Sequence, residues 1–361
     1  MPAPLTVVIA DDSALYRQML LNVLRRIEGV DVVGVAADGR EAVAKARDLR
    51  PDVMTLDVHM PVMDGIAVLR ALRHHGVPTK AIMVSSLTGA GSPATVEALL
   101  EGAFDYVFKP IGLDPHVARE AIRAALAEKL AGCREASARP SVAGQEPAAP
   151  GRAAGAPAGR PAAPRRSDLP YDAIAIGTST GGPETLRAML PRLPRDLPVP
   201  VLVVQHMPPV FTATLAARLN DLSAIGVVEA ADGMAVEPGR AYVAPGGKHL
   251  RLASRDGLIV CTIDDGPPRL GCRPSFNHLL ESMVDLYGDR VVAAVLTGMG
   301  SDGLDGCRRL RAAGGLVLAQ SHDTCTVYGM PKAVIEAGLA RAVLPPAAIA
   351  DAVATGSFAA T

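Results

Sequence analysis

The sequence predicts an α/β protein of two doubly wound parallel-sheet domains joined by a linker rich in Ala, Pro and Gly. Three observations predict it. The chain has 361 residues, and about 150 residues per domain suggests two domains. On both sides of the middle, short apolar runs of strand length alternate with stretches of helical period, the pattern of parallel sheets covered by helices on both faces. Between Cys133 and Arg166, 21 of 34 residues are Ala, Pro or Gly. Such a segment buries too little apolar surface to offset its ordering entropy.

In the first domain the strand-like runs are TVVIA, DVVGVA, VMTLD, AIMVS and DYVF, with helix-like stretches such as ALYRQMLLNVLRRI and REAVAKARDL between them. The boundaries fall at 1–132 for this domain, 133–168 for the linker and 169–361 for the second domain. From Ala136 to Arg166 the only larger aliphatic residue is Val142, and the prolines favour extended spacing. The linker's six arginines read as a solvated tether rather than a docking patch. After the linker the alternation resumes with DAIAIG, VPVLVVQH, RVVAAVLTG and GLVLAQ. The section from Val227 to Ile263 is rich in turn residues and reads as a β insertion of short antiparallel strands.

Composition excludes several classes. The formal net charge is −1, so no global field draws the chain to nucleic acid or acidic lipid. Residues 169–361 carry 16 Lys plus Arg against 18 Asp plus Glu, without the basic face of a DNA reader. The five cysteines lack a CxxC spacing and read as reduced thiols of a cytoplasmic protein without a zinc framework. The N-terminus MPAPLTVVIADDS does not resemble a signal peptide. No apolar stretch approaches the roughly 18 residues of a membrane span, so no membrane insertion is expected.

Functional groups of a doubly wound sheet gather at the carboxyl ends of its strands. In the first domain these ends carry Asp11 and Asp12, Asp57, Ser85 and Lys109. Three converging carboxylates repel one another unless a cation sits among them, and Mg²⁺ suits such oxygens. Asp57 can then accept a phosphoryl group, with Lys109 offsetting charge on the transferred oxygens and Ser85 hydrogen-bonding the product. The alternative, in which each Asp only caps a helix or turn, explains Asp12 before Ser13 but not the whole set. With IADDS, VMTLDVHMPVMDG, MVSSLTG and YVFKP, residues 5–131 closely resemble a response-regulator receiver domain. The resemblance implies a flavodoxin-like fold, phosphorylation at Asp57 by a histidine kinase, and Tyr106 as a switch residue. It also implies a metal held by Asp11, Asp12, Asp57 and the backbone carbonyl of His59, and a cis bond between Lys109 and Pro110.

The second domain opens on IAIGTSTGGPETL, a serine in a glycine-rich strand-to-helix turn. That turn suits a nucleophile or a phosphate loop. Residues 177–182 read GTSTGG, which does not fit the dinucleotide fingerprint GxGxxG. That fold also wants an acidic residue near the end of its second strand; here His206 stands there, 27 residues after Ser179. Neighbouring strand ends bring Ser179 and His206 within plausible reach. Asp302, in the glycine-rich turn after RVVAAVLTG, becomes the acid that orients the imidazole. His249 and His278 read as surface or packing histidines. The order Ser, His, Asp differs from that of ordinary α/β-hydrolases, which geometry and role permit.

IGTSTGGPETL, VLVVQHMPPVFTATLAARLN, AYVAPGGKHLRL, LTGMGSDG and TVYGMPKAVIEAG together resemble the CheB family of protein-glutamate methylesterases over nearly all of 171–340. The resemblance implies a Rossmann-like domain, Ser179 as nucleophile, His206 as base and Asp302 as acid. Backbone N–H groups near Thr180 and Met299 become the oxyanion donors, and the esterase site needs no cofactor. It further implies methyl-accepting chemoreceptors as substrates, a chemotaxis histidine kinase as phosphoryl donor, and deamidation of receptor glutamines. Asn277 departs from the aspartate expected in many relatives. A receiver driving a phosphate-binding output domain, and a DNA-binding regulator, are the alternative readings.

Overall fold

In the computed structural model, residues 3–86, 91–110, 112, 114–137 and 169–358 are described. Five strands form the first sheet: β1 (Leu5–Ala10), β2 (Val30–Ala36), β3 (Val53–Asp57), β4 (Lys80–Ser86) and β5 (Asp105–Lys109). Their order is β2-β1-β3-β4-β5, all parallel. All five expected strands are present. Between and after them lie α1 (Ala14–Leu24), α2 (Gly39–Leu49), α3 (Gly65–His74), α4 (Gly91–Leu100) and α5 (Pro115–Ser137). The strand order reverses between β1 and β3, so a crevice opens where Asp11, Asp12 and Asp57 stand. Ser13, not Asp12, caps α1, accepting from the Tyr16 N–H. Asp12 is therefore exposed and available.

The expected boundary at 132 falls inside α5, which continues to Ser137. Leu126, Leu130 and Cys133 repeat at helical spacing and are buried against the first sheet, so the helix gains from packing beyond the point where composition begins to change. The rest of the expected tether, residues 138–168, lies outside the described residues.

The second sheet is centred on β6 (Ala173–Thr178), with α6 (Gly182–Met189), β7 (Val201–Gln205), α7 (Pro209–Leu222), β8 (Gly226–Glu229) and β9 (Arg240–Val243) following. A hairpin of β10 (His249–Arg255) and β11 (Leu258–Asp264) precedes α8 (Phe276–Tyr287). The chain then runs through β12 (Val291–Val295), α9 (Leu304–Ala312), β13 (Leu316–Gln320), α10 (Met330–Glu336), β14 (Ala342–Leu344) and α11 (Pro346–Thr355). The sheet order is β14-β13-β12-β6-β7-β9-β8. The insertion differs from expectation: β8 and β9 pair parallel and extend the main sheet, and only β10 and β11 pair antiparallel in a separate ribbon. Turn residues mark where strands end, and strand direction depends on pairing that local sequence does not encode.

The residues of β6, β7 and β12 are all buried, as strands covered on both faces should be. Gly177 near the end of β6 lets the Phe276 ring of α8 lie on the strand; a Cβ there would come within 2.2 Å of that ring. Gly177→Ala is therefore expected to destabilise the chain by roughly 1–3 kcal/mol through overpacking, measurable as a lower urea midpoint at unchanged slope.

The two domains pack through one continuous apolar cluster. It includes Val96 and Leu99 of α4, Leu186 of α6 and Phe211 of α7. Tyr106 and Phe108 of β5 meet Phe211 at ring distances of 5.4 and 5.3 Å. The α4–β5 face of the first domain thus rests on the helices beside the β6 and β7 strand ends.

Candidate active site

In the first domain, Lys109 Nζ lies 2.7 Å from both Asp11 Oδ2 and Asp57 Oδ2. Asp11, Asp12 and Asp57 each bring a carboxylate oxygen within 4.8 Å of the others. Burial raises the Asp57 pKa even with Lys109 beside it, and the Asp11 charge adds to the rise. One lysine therefore leaves the cluster short of positive charge, and this hard-oxygen set fits Mg²⁺. His59 stands two residues past Asp57 on the loop after β3. Ser85 is buried at the end of β4 and accepts from Thr95 Oγ1 at 2.8 Å. The expected cis bond is not found: among the described residues only Arg273–Pro274 is cis. Lys109 reaches both carboxylates with a trans bond, the intrinsically favoured isomer.

In the second domain, the order reverses between β6 and β12, and the segments after these strands hold the candidate residues. Ser179 directly follows β6. Its N–H donates to Thr297 O at 3.0 Å, and its carbonyl accepts from Gly182 N at 2.8 Å and Gln205 Nε2 at 2.9 Å. Gly298 passes so close that a Cβ there would lie 2.8 Å from the Ser179 Cβ. Gly181 takes a positive φ of 79°, which suits a residue without a Cβ and turns the chain into α6. Gln205 also bonds the His206 carbonyl at 3.2 Å. One amide thus ties together the backbones carrying the serine and the histidine.

Asp302 is buried, and its acceptor sites are heavily used. Oδ2 accepts from His206 Nε2 at 2.8 Å and from the Phe276 N–H at 2.6 Å. Oδ1 accepts from Ser275 Oγ at 2.8 Å, Asn277 Nδ2 at 2.8 Å and the Asn277 N–H at 3.2 Å. The carboxylate therefore sits at the N-terminus of α8, where free N–H groups and the helix dipole favour an anion. Burial works against the charge on Asp302, but the His206 contact and these donors lower its pKa overall. Asn277 makes the contact that its departure from aspartate put in question. Its amide donates to Asp302 while its carbonyl accepts from Gly306 N at 2.8 Å. Sequence reasoning missed Gln205 and Ser275, which carry no motif of their own.

His206 differs from the expectation in one respect. Ser179 Oγ makes no hydrogen bond to it among the described residues. Its Nε2 is held by Asp302, and its Nδ1 faces Cys272 Sγ at 3.7 Å. Burial opposes the imidazolium, but hydrogen bonds to Asp302 and Cys272 outweigh it and push the pKa up to about 9. His206, Cys272 and Asp302 could also present ligand atoms to a metal. The five hydrogen bonds already on Asp302 favour the acid–base reading.

A general base must be neutral to accept a proton. Because the His206 pKa is raised to about 9, the neutral fraction grows as pH climbs toward that value. Ester hydrolysis by the unphosphorylated chain should rise with pH over this range. Cys272→Ala removes one raising influence, so the acidic limb should move to lower pH; an unmoved limb would show that the thiol does not act on the base.

Ser179 and His206 line a cavity of about 30 Å³ whose other walls include Phe104, Asp105, Tyr106 and Lys129 of the first domain. That space holds about one water molecule. Thr180 Oγ1 donates to Asp105 Oδ2 at 2.5 Å, and Lys129 Nζ lies 3.1 Å from the same oxygen. The Met299 side chain reaches Gly132 on α5. The backbone N–H groups of Thr180 and Met299 donate to no protein group among the described residues, so both remain available to an oxyanion. Tyr106, the expected switch residue, is itself in this roof, and burial raises its pKa.

Comparison with known proteins agrees with both halves. Residues 174–353 match the CheB methylesterase family, and residues 7–123 match the response regulator receiver domain. A protein-glutamate methylesterase/protein-glutamine glutaminase of Symbiobacterium thermophilum is 45% identical over 97% of this chain and 96% of its own. A relative of the same name from Archaeoglobus fulgidus is 42% identical over 96% of each. The crystal structure of the Thermotoga maritima CheB methylesterase catalytic domain covers 51% of this chain and 97% of its own, with 42% identity and a TM-score of 0.50. With both domains matched and relatives aligned over nearly their whole length, this chain belongs to the CheB methylesterase family, with a response-regulator receiver domain in front of its hydrolase domain.

Proposed function

We propose that this chain is a phosphorylation-controlled serine hydrolase that demethylates glutamate methyl esters of chemoreceptors and deamidates receptor glutamines. The observation that carries the reading is Ser179 beside the His206–Asp302 pair in a cavity roofed by the receiver. In this reading residues 1–132 form the core of the receiver, 169–361 the hydrolase, and the segment between them the tether.

Ser179 Oγ attacks the ester carbonyl carbon while His206 takes its proton. The N–H groups of Thr180 and Met299 stabilise the oxyanion. The C–O bond to methanol breaks as His206 returns the proton to the leaving oxygen, and water resolves the acyl-enzyme by the same route. With glutamine the leaving group is ammonia. Asp302 holds the imidazole and supports its positive charge. In the covered state Cys272 occupies the side of His206 that should face Ser179, so catalysis requires both an open roof and a released imidazole.

Control comes from Asp57, phosphorylated by the chemotaxis histidine kinase. Asp11, Asp12, Asp57 and the His59 carbonyl would hold Mg²⁺, which offsets charge on the phosphoryl oxygens when bound. Lys109 neutralises the transferred group, and Ser85 and Tyr106 respond to it. Because Tyr106 packs against Phe211 at a tilted angle of 40°, its rearrangement acts directly on the roof. Among the described residues no helix is long and apolar enough to cross a membrane, which is consistent with a cytoplasmic protein acting on the cytoplasmic part of its receptor.

The test treats a methylated receptor fragment with the chain and a small phosphodonor, reading methanol release and peptide mass together. One methanol should appear per carboxylate formed, in a Ser179-dependent way. Equal efficiency on free glutamate γ-methyl ester would contradict recognition through the surrounding receptor helix.

A further inference from the structure

Behind Asp302 lies a histidine that the reaction itself does not use. His249 opens β10 and is fully buried. Its Nδ1 accepts the Ser275 N–H at 3.2 Å. Its Nε2 lies 3.2 Å from the Pro267 carbonyl oxygen, which can only accept, so Nε2 carries the proton. The partners therefore fix one tautomer, with Nδ1 accepting and Nε2 donating.

The ring stacks on His278 of α8 at a centroid distance of 4.2 Å and an interplanar angle of 22°. Burial, then the adjacent His249, then Arg251 and Arg269 hold His278 below the ordinary imidazole value, with Glu281 opposing.

Ser275 is the first residue of the short stretch that serves Asp302. Its hydroxyl and the N–H groups of Phe276 and Asn277 all donate to that carboxylate. Apart from His206, every donor to Asp302 among the described residues comes from residues 275–277. The Ser275 side chain makes no capping bond within its own helix. Its backbone N–H is held by the bond to His249, and its carbonyl accepts from the Leu279 N–H at 3.4 Å.

We infer that His249 is a positioning residue that acts through Ser275, aiming the 275–277 donors at Asp302 and so setting the angle at which Asp302 holds His206. The inference rests on the hydrolase reading of the site. A residue serving only as packing is replaceable by a ring of similar size, whereas a positioning residue must present an acceptor at Nδ1.

The experiment uses the full chain with a phosphodonor and a methylated receptor fragment. His249→Phe keeps a ring against His278 but removes the acceptor. It should lower kcat roughly 10–100-fold, the loss seen when the hydrogen-bond partners that orient metal-binding side chains are removed, with KM within about twofold. His249→Asn returns an acceptor near Nδ1 and should recover most of the loss. Ser275→Ala should also lower kcat, and the His249→Phe/Ser275→Ala double variant should fall no further than the worse single variant, because both changes interrupt one chain of contacts.

Full kcat in His249→Phe, no recovery in His249→Asn, or additive losses in the double variant would each overturn the inference. If His249→Phe does not fold, the decision passes to His249→Asn against His249→Gln, whose longer side chain carries its acceptor past the Nδ1 position. Asn should then be clearly faster, and equal rates overturn the proposal. The hydrolase reading fails separately: hydrolysis that survives in Ser179→Ala removes the site itself, whereas Ser179-dependent hydrolysis at full rate in His249→Phe removes only the role of His249.

Discussion

Ser179→Ala is expected to reduce ester turnover by about 10⁴-fold or more, and His206→Ala by a similar factor, because nucleophile and base act as one unit. The double variant should be no worse than either single one. Methanol release from a methylated receptor fragment is the measurement, with a thermal melt to establish folding. Asp302→Asn should also be strongly impaired. It removes the charge that supports the imidazolium and places an amide against the donors from Ser275, Phe276 and Asn277. Near-normal turnover in a folded Ser179→Ala chain would eliminate the acyl-enzyme mechanism. The residual activity should be insensitive to pH near 9, because the base whose pKa stands at about 9 would no longer serve a nucleophile.

Opening the roof should have the second-largest effect. The cavity at Ser179 has room for about 30 Å³, far less than a glutamyl methyl ester on a receptor helix requires. Turnover before phosphorylation therefore depends on the small population of open molecules. Asp105→Ala removes the acceptor of the Thr180 hydroxyl and the partner of Lys129. It leaves Ser179, His206 and Asp302 untouched. Basal turnover should rise roughly tenfold, equivalent to about 1.4 kcal/mol of lost closure, and the further gain from a phosphodonor should shrink by a similar factor. Asp57→Ala should keep basal turnover and lose the response to phosphodonor. Unchanged basal turnover in Asp105→Ala would show that the apolar contacts of Tyr106 and Phe108 with Phe211 hold the roof without it.

Two α/β domains, the five strands of the receiver and the strand ends that carry the candidate chemistry could all be read from the sequence. Local signals suffice for this: apolar runs bounded by turn residues set the strands, and the carboxyl ends of parallel strands collect functional groups. Ser179, His206 and Asp302 were legible as candidates because each ends or follows such a run. The rest depends on how distant segments pack. The direction of β8 and β9 follows from pairing across the sheet, and the extension of α5 to Ser137 from packing. The role of Ser275, the buried setting of His249 and the placing of Cys272 against His206 depend on contacts between segments far apart in the chain. The roof over Ser179 does too, since Asp105 and Thr180 are 75 residues apart and nothing in either neighbourhood names the other. Periodicity reports which face of an element is buried; it does not report what lies against that face.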